Sequence, residues 1–308
     1  MIQIPMHKVL SNSAGVKIEL LRNKLCEQQK ISLSVLRLDQ IHPIVSGNKI
    51  FKLYYFLEEA MNASHRKIVT FGGAYSNHLA ATAQVCKENG LQCIGIIRGE
   101  APQQLSHTLS FCRDNGMHLE FFSRSRYKAF SQGSIPSCFQ EKFGDHTLVP
   151  EGGFSLQGRD GAALIGAHGR FSNYSHICCA IGTATTFAGL MMCCGKDTDV
   201  MGFSVLKNQH DLEERLSLLQ VPPQKNYKVF YEYHFGGYAK KNDSLIDFMN
   251  SFYANTQIPI DFVYTAKMMF GVCDLVGKKY FPPGSNILCL HTGGLQGNHS
   301  LPPGLLNF

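Results

Sequence analysis

A chain of 308 residues, 44% apolar and 17% charged with no low-complexity tract, is long enough for one large or two medium globular domains. Its formal charge of +6 is spread along the chain, with only short pairs at Lys240–Lys241 and Lys278–Lys279. That distribution argues against a nucleic-acid-binding face and suits anionic small molecules. No apolar run approaches the roughly 20 residues that span a bilayer, and Met1–Lys8 lacks the basic-then-apolar order of a signal peptide.

Eleven cysteines, two sets of them adjacent (Cys178–Cys179 and Cys193–Cys194), form no C-x-x-C pair and are odd in number. They read as reduced core thiols in a cytoplasmic protein rather than a disulfide framework or a zinc site. The 13 histidines show no metal-ligand spacing.

In chain order, the first informative run is S-G-N-K, Ser46 to Lys49, followed by apolar residues at 50, 53, 56 and 57. The spacing predicts a helix beginning near Lys49. The positive end of a helix dipole lowers the pKa of a lysine there, as a Schiff-base amine requires. Lys52 reads as a surface residue. Next, a strand over Ile68–Phe71 is broken by Gly72–Gly73, and a helix over Asn77–Asn89 follows, with Ser76 as its cap. Such a helix start offers free N–H donors to a carboxylate or phosphate. His78 reads as a packed or turn-bonded histidine. Strand Gln92–Ile97, helix Gln104–Asn115 and strand His118–Phe122 continue the alternation, ending at the Gly/Pro-rich segment Pro150–Gly161.

After strand Ile177–Ile181, the run G-T-A-T-T-F-A-G-L from Gly182 opens a helix over Thr185–Cys194. Small hydroxylated residues at that turn suit a single phosphate, and a plain helix cap is the competing reading. Strand Val200–Ser204, helix Asp261–Leu275 and strand Ile287–His291 complete the pattern. The last two bring D-F-V-Y-T-A-K, with the phenol of Tyr264, and L-H-T-G-G, with Thr292 at a strand end. Strands alternating with helices predict open, mostly parallel sheets, with ligands at the strands' carboxyl ends. The layout predicts a small α/β domain, 51–157, inserted into a larger one made of 1–50 and 158–308, with a cleft between. No G-x-S-x-G and no Cys–His pairing supports nucleophilic hydrolysis.

Taken in order, R-L-D (Arg37–Asp39), H-P-I-V-S-G-N-K, G-G-A-Y-S-N-H, E-G-G-F-S-L-Q-G, G-T-A-T-T-F-A-G-L, D-F-V-Y-T-A-K and L-H-T-G-G resemble the 1-aminocyclopropane-1-carboxylate deaminase and D-cysteine desulfhydrase family over nearly the whole chain. The resemblance implies a pyridoxal-5′-phosphate enzyme of fold type II, tryptophan-synthase-β-like and homodimeric, acting on a small amino acid. It implies that Lys49 forms the internal aldimine, that Asn77 bonds the cofactor's 3-hydroxyl, and that Gly182, Thr183, Ala184, Thr185 and Thr186 hold the phosphate. Thr292 would face the pyridine nitrogen. Ser76, with its neighbours Tyr75, Asn77 and His78, would bind the substrate, and Ser76 and Tyr264 would assist catalysis.

Three positions depart from the family pattern: Tyr75 stands where glutamine is usual, Phe51 where arginine is common, and Cys289 where the deaminase's second active-site tyrosine aligns. H-T-G-G is closer to the desulfhydrase branch. The expected activity is release of ammonia and a 2-oxo acid from 1-aminocyclopropane-1-carboxylate. The alternatives are β-elimination from D-cysteine and a related racemase or dehydratase, and a binding protein that keeps the fold without the chemistry is a third class.

Overall fold

The structure, a computed structural model, describes residues 16–22, 24–132, 137–223 and 226–308. The opening Met1–Lys8 segment lies outside them. Ten strands occur among the described residues: β1 (Ile18–Leu20), β2 (Ser32–Leu36), β3 (Lys67–Gly72), β4 (Gln92–Arg98), β5 (Met117–Phe122), β6 (Thr147–Val149), β7 (His176–Ile181), β8 (Asp199–Ser204), β9 (Tyr227–Phe230) and β10 (Asn286–Leu290). They form two sheets. One has six strands in the order β1-β2-β10-β7-β8-β9, parallel except for β1 on its edge; the other has four in the order β5-β4-β3-β6, all parallel.

The centre of the six-stranded sheet explains its composition. On β10, Leu288 and Leu290 enter one hydrophobic core while Ile287 and Cys289 enter the core on the opposite face. On β7, Ile177, Cys179 and Ile181 face one side and Cys178 the other. A strand covered on both faces carries a continuous apolar run rather than alternation, which is why H-I-C-C-A-I reads so clearly.

Five helices carry or back the residues singled out above: α1 (Asn48–Asn62), α2 (Asn77–Glu88), α3 (Leu156–Ala163), α4 (Thr185–Cys193) and α5 (Thr265–Gly277). Helix α1 buries Ile50, Leu53, Phe56, Leu57 and Ala60, one face at helical spacing. It lies almost backbone to backbone on α3: a Cβ on Gly161 would stand 2.2 Å from the Phe51 carbonyl oxygen. Phe51 is fully buried with its ring edge on His168, centroids 5.4 Å apart. The helix that carries Lys49 is therefore a fixed platform.

Parallel strands send their carboxyl ends to one edge. In the four-stranded sheet that edge carries the Gly72–Ser76 turn, Arg98 and Glu151. In the six-stranded sheet it carries Gly182 after β7 and His291–Gly294 after β10.

Candidate active site

Helix α1 starts without a side-chain cap, because Gly47 holds φ 75°, ψ −148° and has no side chain to offer. A Cβ there would meet the Thr292 carbonyl oxygen at 1.9 Å, so only glycine fits. The Asn48 N–H donates to that same oxygen at 3.3 Å. The S-G-N-K and H-T-G-G loops, far apart in sequence, thus close on each other. His291 pins the second loop: Nε2 donates to the Pro259 carbonyl at 2.6 Å and Nδ1 accepts from the Gly293 N–H at 3.2 Å. Asp39, held by the Arg37 guanidinium, lies 3.4 Å from the same ring.

Lys49 is half-buried, and burial lowers its pKa to about 8, with the Asp261 carboxylate pulling the other way. At that value about a tenth of the amine is neutral at pH 7, against about one part in a few thousand for an ordinary lysine. Its Nζ donates to Asn48 Oδ1 at 2.7 Å and stands 5.8 Å from the Tyr264 ring centroid. Asn48 Nδ2 donates in turn to Thr186 Oγ1 at 2.7 Å. One buried asparagine therefore ties the lysine to the threonine turn, a role that the bare N-K dipeptide does not reveal.

That turn, Gly182–Thr186, opens α4 with no side-chain cap, and Ala184 sits in the left-handed region at φ 68°. The first-turn N–H groups of α4 have no acceptor four residues back. Thr183 and Thr185 hydroxyls lie 3.0 Å apart, so together with Thr186 they present three hydroxyls at a helix N-terminus. Lys52, expected on the surface, is buried at 4% exposure, and among the described residues it meets no carboxylate. Burial and the neighbouring Lys49 push its pKa well down. It packs beside Gly153, whose neighbour Gly152 abuts Thr183. A buried lysine with no carboxylate partner, close to an uncapped helix start, fits an anion.

On the facing sheet, Ser76 caps α2 by accepting from the Leu79 N–H at 3.3 Å, and its own N–H is used by the Gly73 carbonyl at 3.0 Å. Its hydroxyl proton stays available, as do the first-turn N–H groups of Asn77 and His78. Asn77 Oδ1 is buried without a hydrogen-bond partner, and Asn77 Nδ2 would lie 2.9 Å from a Cβ on Gly294. The asparagine is thus held against the H-T-G-G loop with an open acceptor. The His78 side chain turns into the core: Thr70 Oγ1 donates to the Val149 carbonyl, so His78 Nε2 donates to Thr70 Oγ1 at 2.9 Å. Its Nδ1 is buried without a hydrogen-bond partner, and burial with the nearby Lys52 and Lys49 lowers the ring's pKa. Tyr75 is 58% exposed, its ring 5.7 Å from that of His107.

Tyr264 sits just before α5, whose start is organised by the fully buried Asp261. That carboxylate accepts from the N–H groups of Val263, Tyr264 and Thr265 and from Thr265 Oγ1, at 3.0, 2.9, 2.8 and 2.6 Å. The D-x-x-x-T spacing carries this cap in the sequence. Burial, with Tyr238 and Asp261 nearby, raises the Tyr264 pKa well above 10, so the phenol keeps its proton at neutral pH. Cys289 is fully buried in the core, in register with Cys178 and clear of the cleft. A second phenol comes from elsewhere: Tyr238 Oη stands 3.5 Å from Tyr264 Oη. Sequence reading missed it because F-G-G-Y marks only a loop. Thr292 is buried at 6% exposure, in the loop that meets Asn77.

The orphaned Asn77 Oδ1, Lys52 without a carboxylate partner and the uncapped α4 together suit a ligand with an anionic group and a separate hydrogen-bond donor. Among the described residues, no group of three or more His, Cys, Asp or Glu side chains could hold a metal ion.

No family model matches the chain. It is 26% identical over 287 residues to a Pyrococcus furiosus protein provisionally named 1-aminocyclopropane-1-carboxylate deaminase, covering 86% of this chain and 85% of that one. It is 25% identical over 281 residues to a D-cysteine desulfhydrase of Salmonella choleraesuis, covering 83% and 85%. The crystal structure of an ACC deaminase homologue superposes with a TM-score of 0.79 at 23% identity, over 95% of each chain. The fold-type-II architecture expected from the sequence is the one found.

Proposed function

The chain is a relative of the 1-aminocyclopropane-1-carboxylate deaminase and D-cysteine desulfhydrase proteins, and we propose that it is a pyridoxal-5′-phosphate enzyme that releases ammonia from a small amino acid. The observation that carries this reading is the chain Lys49–Asn48–Thr186, which links a lysine of depressed pKa to an uncapped helix start within two side chains. The cleft fits the cofactor. Thr183, Thr185, Thr186 and the α4 amides would receive its phosphate with Lys52, Lys49 would hold it, Asn77 would meet its hydroxyl, and Thr292 its ring nitrogen. When bound, it supplies an electron sink for charge developing on the substrate.

The chain's own groups do the rest. The Ser76 hydroxyl and the Asn77 and His78 N–H groups grip the substrate carboxylate at the positive end of α2. Lys49 Nζ, its pKa lowered by burial to about 8, takes up and returns a proton near physiological pH. The protonated Tyr264 phenol, its ring 5.8 Å from Lys49 Nζ, donates to the reacting group. The domain division at 51–157, the homodimer and a cytoplasmic setting belong to the same proposal; no helix among the described residues is long and apolar enough to cross a membrane.

Two phenols in the cleft, Tyr264 and Tyr238, favour the deaminase reading over simple elimination, because opening an unactivated ring calls for more than one group able to hold or move a proton. An assay for ammonia, 2-oxo acid and sulfide over 1-aminocyclopropane-1-carboxylate, both cysteine enantiomers and D-serine tests it. Ammonia with 2-oxobutanoate from the cyclopropane supports the deaminase, and pyruvate with sulfide from D-cysteine transfers the assignment to the desulfhydrase. Retained amino acid of inverted chirality would replace both with a racemase.

A further inference from the structure

Lys267 is a fully buried lysine with no carboxylate bonded to it among the described residues. Its Nζ donates instead to two main-chain carbonyls of one loop, His234 at 2.8 Å and Gly237 at 2.7 Å. The loop is shaped for this. Phe235, Gly236, Gly237 and Ala239 all have positive φ (51°, 93°, 116° and 52°), two of them without being glycine. The Gly237 N–H returns to the His234 carbonyl and the Lys240 N–H to the Gly237 carbonyl, so two consecutive turns aim both oxygens at one point. Left-handed non-glycine residues cost of order 1 kcal/mol each and persist where surroundings hold them.

The residue after Gly237 is Tyr238, whose ring lies 6.0 Å from that of Tyr264. Tyr264 stands three residues before Lys267, as the non-helical residue that leads into α5. The circuit closes: Tyr264 leads into α5, the first turn of α5 carries Lys267 to the loop, and the loop returns Tyr238 to Tyr264.

We propose that Lys267 is a positioning residue, whose ammonium fixes the carbonyls of His234 and Gly237 and thereby sets Tyr238 against Tyr264 in the substrate cleft. The inference rests on the functional reading above only for its effect on turnover. The loop is also held by an aromatic contact, Phe235 on Phe270 at 4.9 Å, and by a hydrogen bond, Tyr233 Oη donating to Asp274 Oδ2 at 2.6 Å, so it keeps its place in outline when the lysine is removed. What Lys267 adds is the fine placement of residues 234–239.

Lys267→Met, Tyr238→Phe and the double variant separate this role from bulk stability. Hydrogen exchange of the cofactor-loaded protein should quicken at residues 236–240 in Lys267→Met and nowhere else, and stay unchanged in Tyr238→Phe. With 1-aminocyclopropane-1-carboxylate or D-cysteine, whichever is turned over, each single variant should lose kcat by about 10- to 100-fold, the scale of a displaced catalytic group. The double variant should be no worse than either alone. If Lys267→Met fails to fold, Gly237→Ala disturbs the same loop with the lysine intact, since alanine disfavours φ 116°, and should reproduce the kcat loss. Unchanged exchange at 236–240, or losses that multiply in the double variant, would overturn the proposal. Failure to turn over either substrate would sink the functional reading while leaving the exchange result to decide the positioning role.

Discussion

Two helix starts face the cleft, and they solve the same problem in opposite ways. At α2 the Ser76 side chain caps the helix, and the turn spends one of its own N–H groups on Gly73. At α4 no side chain caps, Ala184 is bent into the left-handed region, and three threonine hydroxyls surround the free amides. The first is a stable turn with a few donors to spare, suited to a substrate that comes and goes. The second leaves its donors unsatisfied until an anion arrives, and suits a resident phosphate. Lys49 lies between them, tied through Asn48 to the second.

The largest expected effect breaks that link. Lys49→Ala should lower ammonia release by roughly 10³-fold or more, the range of a lost acid–base group. Thr186→Val removes both a cup hydroxyl and the Asn48 tether, and should weaken cofactor binding by about 10- to 100-fold, the worth of one or two hydrogen bonds to a charged group. Equilibrium titration with pyridoxal phosphate measures it. Ser76→Ala should cost about 1 kcal/mol of stability in urea unfolding, the usual value of a cap, and raise KM more than it weakens cofactor binding. If Ser76→Ala instead impaired cofactor binding as much as Thr186→Val does, the division of labour between the two turns would be wrong.

In the cofactor-free protein the pH dependence of Lys49 offers a subtler check. Its folded pKa of about 8 means the reactive neutral amine appears as pH rises through 8, so acylation of Lys49 should reach half its plateau rate near there, well below the exposed lysines. The smallest effect belongs to Ala184→Gly, which relieves φ 68° and should raise stability by at most about 1 kcal/mol, partly offset by unfolded-state entropy.

Much of this contrast was legible in the sequence, for reasons that lie in its residues. K-I-V-T-F and H-I-C-C-A-I are buried on both faces and read as strands, and Gly72–Gly73 and Gly182 stop them where the cleft forms. Ser76 reads as a cap because its bond to Leu79 is local. The parts that stayed hidden depend on distant partners. Lys52 looks like a surface lysine until α1 packs on α3 and Gly153 covers it. Cys289 looks like a cleft position until the pleat of β10 turns it toward Cys178. Tyr238 meets Tyr264 from a loop whose carbonyls are bonded by a lysine 29 residues later. Short strands β1, β6 and β9, each three or four residues long, carry too few positions for a periodic pattern.

The central claim is that Lys49, and no other lysine, is the residue that the cofactor bonds to covalently. Borohydride reduction of the protein reconstituted with pyridoxal 5′-phosphate, followed by peptide mapping, tests it directly. The account predicts one pyridoxyl-modified residue per chain, Lys49, and its loss when Thr186→Val removes the neighbouring hydroxyl at limiting cofactor. Modification spread over surface lysines, or fixed on Lys52 or Lys267 with Lys49 untouched, would contradict it.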